Sequence, residues 1–280
     1  MSNTKVLGAL QRFAIYAILI TGAVVVLIPL VWMLSASLKP KSEIFTFPPT
    51  WIPWPPLFSN YPRGLETMQF GMALRNTLMI AIPSVIGQTV SCSLVGYGLA
   101  RFRFPGRDLL FILVLATMML PSQVTLIPTF IIFSQLDMVD TFWPFWLPAW
   151  TATSGFNIFL FRQFFLTISP EIEDAARIDG AGAFDIFWRI YLPLSKPVVA
   201  AVALFAFIFY WNDFFGPLIY LPSIEKKTLQ LMLMSFQQFY TTDWGPMMAA
   251  TLVISLPPLL IFFFAQRIFI QGVVFTGIKE

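Results

Sequence analysis

Six apolar stretches, each long enough to cross a lipid bilayer, set the limits on what this 280-residue sequence can fold into. A helix spans a hydrocarbon core of roughly 30 Å with about 20 apolar residues, and backbone groups in lipid must be hydrogen-bonded within the spanning segment. Charged residues make up only 11% of the sequence, against about 25% in an ordinary soluble domain. We therefore predict an all-α integral membrane protein. Its six transmembrane helices are expected over residues 13–35, 76–100, 109–133, 141–161, 197–221 (interrupted by Asp213) and 244–266.

The first stretch stands apart from the other five. It is too long for the apolar region of a secretory signal peptide, and no small-residue cleavage site follows it, so we interpret it as a retained, peripheral transmembrane helix. Seven prolines between Pro40 and Pro62 favour an extended, irregular path for the next loop. The expected organisation is a cytoplasmic amino terminus (1–12), the peripheral helix (13–35), an external loop (36–70), a five-helix core (71–266) and a cytoplasmic tail (267–280).

Lysine and arginine residues set the predicted orientation, because cytoplasmic segments of membrane proteins are enriched in them. With the amino terminus inside, eleven of the 17 lie on the cytoplasmic side and six lie outside. We therefore expect both termini to be cytoplasmic.

The composition argues against several classes of function. The sequence contains no histidine and a single cysteine, Cys92, which lies inside the second span and is expected to be a small buried apolar residue. A His/Cys metal site, a histidine-based catalytic triad and a disulfide framework are therefore not expected. The net charge of +3 follows from the cytoplasmic bias and gives no reason to propose a nucleic-acid partner. We predict that the chain is not an enzyme and that it binds no metal or cofactor itself.

A charged segment, "SPEIEDAARIDGAGAFDIFWRIYLPLSKP" over residues 169–197, lies between the fourth and fifth predicted spans. Its opening Ser169–Pro170 pair suits a helix N-cap and first helical position, and the acids that follow suit the positive end of a helix dipole. Gly180 stands where a helix commonly ends in a left-handed residue, so we predict a helix of about ten residues. One face of this helix would be apolar, carrying Ile172, Ala175 and Ala176.

A second short helix is expected after the glycines of the charged segment. Asp185 and Arg189 can form an i, i+4 ion pair on it, and Pro193 should end it. The two helices are too short to cross the membrane, so they could anchor the loop in the membrane interface. Residues 171–179 carry four acids and one arginine, whereas an anchor on anionic lipid prefers Lys and Arg, so a protein partner is favoured. One face of the second helix would be aromatic, carrying Phe184, Phe187, Trp188 and Tyr191.

The sequence "DAARIDG" at residues 174–180, followed after nine residues by "IYLP" at 190–193, resembles the EAA loop of permease subunits in ATP-binding-cassette (ABC) importers. Asp174 stands where the family usually has glutamate, a change that keeps the charge. Further stretches resemble the carbohydrate-uptake branch and its maltose-type second permease over nearly the whole chain. They include "SLKPKSEIF" (37–45), "FRFPGRD" (102–108), "FYWNDFFGPL" (209–218) and "FIQGVVFTGIK" (269–279).

The resemblance implies a type I ABC importer permease fold with a cytoplasmic coupling helix. The chain would move a sugar, an oligosaccharide or a related polyol or sugar phosphate inward by alternating access. No G-x-x-x-x-G-K-[ST] phosphate-binding loop occurs in the sequence, so ATP and Mg²⁺ are expected in a separate ATPase. The residues implied in coupling to that ATPase are Glu171, Glu173, Asp174, Ala175, Ala176, Arg177, Asp179, Gly180, Ala181 and Phe184.

The same resemblance implies several partners in a bacterial-type inner membrane. They are a second, related permease subunit, two ATPase subunits and an extracytoplasmic solute-binding protein. The solute-binding protein would dock on the external loops at residues 39–70 and 223–243.

A polar group in the fifth span is the candidate solute path. Trp211 could stack on a sugar ring, while Asn212 and Asp213 could bond its hydroxyls, and Asn76 and Gln123 are weaker candidates. An aspartate inside a membrane is costly and normally faces protein or water. The alternative is that these side chains stabilise helix packing or the partner permease.

Two other classes of membrane protein compete with the importer interpretation. An ion-coupled secondary transporter would carry buried acids in several spans, whereas Asp213 is the only charged residue within the six runs. A membrane subunit without transport activity is the other alternative. A requirement for ATP in solute uptake would exclude both.

Overall fold

The computed structural model describes residues 2–237 and 242–276, with side chains described from Gln11 to Gln266 except at position 122. Residues 238–241 of the predicted docking loop and 277–280 of the predicted tail lie outside this description. Apart from one isolated bridge between Gln237 and Thr242, the regular structure of the described residues is helical. The predicted all-α fold class is confirmed.

Fourteen α-helices are labelled in chain order within the described residues. Short 3₁₀ turns cover Lys41–Glu43, Ile224–Lys226 and Leu233–Phe236, and a π-helical turn covers Phe187–Tyr191. The α-helices are α1 (Ser2–Ser37), α2 (Asn60–Thr67), α3 (Phe70–Arg101), α4 (Arg107–Thr117), α5 (Ser122–Gln135), α6 (Trp143–Trp150), α7 (Gly155–Thr167), α8 (Pro170–Ile178), α9 (Ala183–Ile186), α10 (Leu192–Leu194), α11 (Lys196–Asn212), α12 (Phe215–Tyr220), α13 (Leu229–Met232) and α14 (Trp244–Thr276).

Three of the predicted spans are continuous helices that are long and apolar enough to cross a membrane. They lie in α1 over Gln11–Ser37, in α3 over its full length, and in α14 over Trp244–Gln266. The apolar window of α3 is 44% buried, against 17% for α14 and none for α1, so α3 is the core helix of the three.

The other three predicted spans need correction, because the structure divides each of them into two helices. Residues 109–133 are interrupted before Pro121, which has an extended conformation and lacks the N–H that a continuing helix would need. Residues 141–161 are interrupted at Thr151–Ser154, where Ala152 has a φ of +55°. Residues 197–221 are interrupted at Asp213, as the sequence suggested.

The chain forms two compact units, Met1–Phe70 with Leu233–Ser255 and Gly71–Met232 with Leu256–Glu280. In the first unit, Asn60 donates hydrogen bonds to the carbonyls of Ser37 and Lys39, both at 2.9 Å, and Arg63 pairs with Asp243 at 3.1 Å. The predicted irregular path of the 36–70 loop is correct only in part, because its last residues form α2.

In the second unit, a buried cluster joins α3, α7, the short helices after α8, and α11. Cys92 is fully buried within it, as predicted. Gly96 allows α3 to approach α7 closely, since a Cβ there would lie 2.7 Å from the Cβ of Phe161. Four aromatic rings pack at one end of this cluster, with Tyr97 against Phe165, Phe187 and Tyr191 at centroid distances of 6.1, 5.3 and 4.9 Å. The charged segment is therefore built onto the end of the core.

Candidate functional site

The first helix of the charged segment begins and ends where the sequence predicts. Ser169 Oγ accepts a hydrogen bond from the backbone N–H of Glu171 at 3.4 Å, and Pro170 is the first residue of the nine-residue helix α8. Gly180 has a φ of +85°, and its N–H donates to the carbonyl of Arg177 at 3.0 Å. The predicted N-cap and left-handed glycine are confirmed.

The three residues predicted to share the apolar face of α8 do not pack together into the core. Ile172 is 42% exposed and Ala175 is also exposed, while Ala176 alone of the three packs partly against the core. Glu173 is the residue that points inward and is only 8% exposed. The buried face is therefore set by a carboxylate that finds partners in the core.

Glu173 is the centre of a buried ionic and hydrogen-bonded network. Its Oε1 accepts hydrogen bonds from Arg177 Nη2 at 2.8 Å and Nε at 3.3 Å, and its Oε2 accepts one from the Tyr191 hydroxyl at 3.0 Å. Arg101 Nε, at the end of α3, lies 3.9 Å from Glu173 Oε2. These partners offset the cost of removing a carboxylate from water. We call Glu173, Arg101, Arg177 and Tyr191 the Glu173 network.

The network shifts the pKa values of two of its members. Burial raises the pKa of Tyr191, and the hydrogen bond to Glu173 acts in the same direction while Arg101 opposes it. The hydrogen bond to Glu173, followed by the attraction of that carboxylate, raises the pKa of Arg177. Both side chains therefore remain hydrogen-bond donors at neutral pH.

The second short helix differs from its prediction in two ways. Phe187 and Tyr191 are buried, but Phe184 and Trp188 are exposed and stack on each other with centroids 6.4 Å apart and planes at 8°. The helix also continues through Pro193 to Leu194, because the preceding π turn changes the hydrogen-bond pattern that a proline would otherwise break. The predicted Asp185–Arg189 ion pair is present at 3.3 Å.

The exposed surface of the charged segment mixes acids with large apolar side chains. Ile178 is 86% exposed, Phe184 68% and Trp188 52%. Ile178 and Trp188 were not among the residues predicted to contact a partner. Ile178 lies just before the glycine turn and on neither predicted apolar face, and Trp188 was predicted on the aromatic face without a signal that would separate its exposed side chain from the buried ones.

The candidate solute-path residues of the fifth span have partners within the chain. Trp211 is buried and stacks on Phe207 with centroids 5.2 Å apart. Asn212 donates to the Ile208 carbonyl at 2.9 Å and accepts from Gln230 at 3.2 Å. Asp213 accepts a hydrogen bond from the backbone N–H of Gly216 at 3.0 Å and so caps α12.

The two weaker candidates lie on other helices. Asn76, on α3, is 6% exposed and donates to the carbonyls of Glu225 at 2.7 Å and Lys227 at 3.0 Å. Gln123 is exposed on α5. The contacts of Asn76 favour the packing alternative for that residue, and the solute path as a whole stays a prediction.

Comparisons with known proteins agree on one family. The sequence model described as "Binding-protein-dependent transport system inner membrane component" matches residues 92–274. The sn-glycerol-3-phosphate transport system permease protein UgpE of Yersinia enterocolitica is 34% identical over 267 residues, covering 92% of this chain and 94% of its own. A probable ABC transporter permease of Pyrococcus horikoshii is 33% identical over 262 residues, covering 91% and 93%.

A solved structure shares the fold over nearly the whole chain. A chain of a bacterial ABC transporter involved in the import of the acidic polysaccharide alginate aligns with a TM-score of 0.77 and 25% identity, covering 96% of this chain and 97% of that one. A second structure of a bacterial alginate ABC transporter aligns with a TM-score of 0.66 at 19% identity, covering 91% and 93%, and supports the fold alone.

Proposed function

We infer the role of this chain from its family, since it belongs to the binding-protein-dependent transport system inner membrane components. The chain is the membrane-spanning permease subunit of an ABC importer. We propose that its charged segment docks on a separate ATPase subunit that binds ATP and Mg²⁺. A second permease and an external solute-binding protein would complete the assembly.

The exposed apolar side chains of the charged segment carry this proposal. Ile178, Phe184 and Trp188 remain exposed although the segment as a whole is rich in charge. Large exposed apolar groups rimmed by polar residues mark interaction sites in folded proteins. The adjacent acids, Asp174 and Asp179, argue against anionic lipid as the partner.

The geometry divides the residues implied in coupling into two groups. Glu173 is buried and bound within the chain, so it is unavailable to a partner. The acids and apolar side chains on the outer side are available. We propose that direct ATPase contacts come from Glu171, Asp174, Asp179, Ile178, Phe184 and Trp188.

Affinity purification from native membranes tests the docking proposal. We expect the double variant F184A/W188A to lose about tenfold in recovered ATPase, because aromatic anchors dominate interface energies. The variant F104A is the control, since Phe104 is another exposed aromatic residue on the cytoplasmic side of the predicted topology. Equal ATPase recovery with the wild type and F184A/W188A would refute docking through this surface.

We propose that the solute is carbohydrate-related, and that polyol phosphates are the first class to test. The support is the UgpE relative, whose name states sn-glycerol-3-phosphate transport. Uptake of radiolabelled sn-glycerol 3-phosphate and of a panel of neutral sugars should be compared between the native strain and one lacking this chain. If uptake of every compound is the same in the two strains and does not require ATP, the proposal is contradicted.

We propose that both termini and the charged segment are cytoplasmic, on the basis of the eleven-to-six distribution of Lys and Arg. Ser42 and Ala183 are both exposed in the structure and lie on opposite predicted sides. Cysteine at position 42 should react with an impermeant thiol reagent in intact cells, and cysteine at 183 only after the membrane is opened. Labelling of position 183 in intact cells would reverse the orientation.

A further inference from the structure

We propose that Glu173 is the positioning residue that transmits movement of the charged segment to α3. This inference rests on the proposed docking of that segment on an ATPase. Glu173 belongs to α8, and its carboxylate binds Tyr191 in the second short helix while facing Arg101 at the end of α3. One buried side chain therefore connects three elements of the second unit.

The two arginines beside Glu173 differ in their accessibility. The side chain of Arg177 is 52% exposed, so a docking partner can reach it, whereas that of Arg101 is only 9% exposed. Arg101 is also held in place, since it donates to the carbonyls of Phe165 at 2.7 Å and of Ile168, at the end of α7. Its guanidinium lies 4.9 Å from the centre of the Tyr191 ring.

The inner side of the network is incompletely paired. Among the described residues, Arg101 Nε has no hydrogen-bond partner although it is buried, and the same holds for the hydroxyl of Tyr97, whose ring packs against that of Tyr191. Buried polar groups are normally paired, and Arg101 Nε is already 3.9 Å from Glu173 Oε2. A shift of Glu173 toward α3 would complete this pairing.

These contacts describe how docking would reach the membrane core. A partner that engages the exposed guanidinium of Arg177 weakens its bond to Glu173 and leaves the carboxylate to pair more fully with Arg101. Because α3 runs from Phe70 to Arg101 as one helix, and packed interiors transmit displacement, movement at its end carries along the span. The charged segment and α3 should therefore move together.

Distance measurements on the assembled complex test this link. Spin labels are placed at Arg103 and Ala183, which are exposed beyond α3 and at the start of α9, in a chain whose only cysteine is replaced by C92S. The complex with its second permease and ATPase subunits is measured without nucleotide and with ATP plus vanadate. We expect the wild-type separation to change by less than about 2 Å, and that of E173Q to change by more, since helix shifts in switching transitions are of this size.

The variant E173Q removes the charge but keeps the side-chain size, and should still recover the ATPase because the exposed docking residues are intact. The control D185N breaks the exposed Asp185–Arg189 pair of the same segment and should behave as the wild type. If E173Q does not accumulate in the membrane, E173D, whose shorter side chain moves the carboxylate away from Arg101 and Tyr191, should show the larger nucleotide-dependent change in label separation expected of E173Q.

Docking of the charged segment and the role of Glu173 are distinguished by different outcomes. If the wild-type chain recovers no ATPase, the proposed docking is wrong and the role of Glu173 is wrong with it. If the wild type recovers the ATPase, and E173Q and E173D keep the wild-type label separation in both nucleotide states, docking stands and the role of Glu173 is overturned.

Discussion

Gly180 illustrates how one backbone position shapes the charged segment. Its φ of +85° turns the chain out of α8, and the space where a Cβ would lie is open to 4 Å. The requirement for glycine is therefore conformational and does not come from crowding. This position could be predicted from sequence, because a glycine after a capped, amphipathic stretch is a local signal.

Replacing Gly180 by valine should disturb the turn without unfolding the protein. A β-branched residue at positive φ costs on the order of 1–3 kcal/mol, which is small for a membrane bundle but large for a docking contact. We expect normal membrane levels of G180V with reduced recovery of the ATPase. The control is G182V, since Gly182 has a φ of −74° that valine can adopt. Full ATPase recovery with G180V would show that the turn is not required.

Glu173 shows the limit of prediction at the same scale. The sequence indicates that α8 is acidic, but the choice of which acid is buried depends on Arg101 and Tyr191, which lie 72 residues before it and 18 residues after it. A helical pattern based on apolar residues alone therefore does not indicate that the face with Glu173 is buried. The EAA resemblance included Glu173 in the coupling set without indicating its burial.

Gly96 and Gly98 provide a matched test of helix packing. A Cβ at Gly96 would lie 2.7 Å from Phe161 Cβ and 3.1 Å from the Arg162 nitrogen, whereas one at Gly98 would meet nothing within 4 Å. Overpacking a core costs about 1–3 kcal/mol, so G96A should lower the thermal melting temperature of the purified protein and G98A should not. Equal melting temperatures for the two variants would contradict the close approach of α3 and α7.

At the scale of elements, the apolar stretches were predictable and their interruptions were less so. Pro121 and Asp213 carry local signals for a break, but the turn at Ala152 has none in the sequence, since alanine rarely adopts a positive φ. The π turn at Phe187–Tyr191 is likewise set by the burial of its two end residues in the core. Tertiary packing decided the features that local patterns did not specify.

A set of polar contacts between two loops of the second unit makes the stability of the protein depend on pH in a predictable way. Asp140 accepts hydrogen bonds from Ser223 Oγ at 2.7 Å and from Lys226 Nζ at 2.9 Å. Partial burial raises the pKa of Asp140, but these hydrogen bonds and the charge of Lys226 lower it by more. The pKa of Asp140 is therefore below its ordinary value of 3.8. A lowered carboxylate pKa adds stability above the unfolded-state pKa, and that stability is lost as pH falls through the folded-state pKa.

The variant D140N should therefore melt at a lower temperature than the wild type near neutral pH, and the difference should shrink as the pH falls below about 4. The effect will be modest, because the pair is partly exposed. The control D137N changes an exposed acid of the same loop whose positive φ asparagine also tolerates. A difference that stays constant down to the lowest pH measured would contradict the assignment.

At the scale of the whole molecule, the chain is an apolar permease subunit of an ABC importer, and we expect it to receive its energy from a separate ATPase. Its family membership was predictable from motifs at fixed spacing, whereas the solute was not, because Trp211, Asn212 and Asp213 all have partners inside the chain. The outer surface of the charged segment is the feature that we propose links the chain to an assembly. Our central claim is that this surface docks on an ATPase subunit.

Photo-crosslinking from position 178 tests that claim most directly, because Ile178 is 86% exposed and no buried contact is lost when it is replaced. A photoreactive amino acid at this position, in the full chain in native membranes, should crosslink to a polypeptide that carries an ATP-binding G-x-x-x-x-G-K-[ST] loop. Crosslinking to lipid, with no such polypeptide, would show that the charged segment is a membrane anchor and would contradict the account.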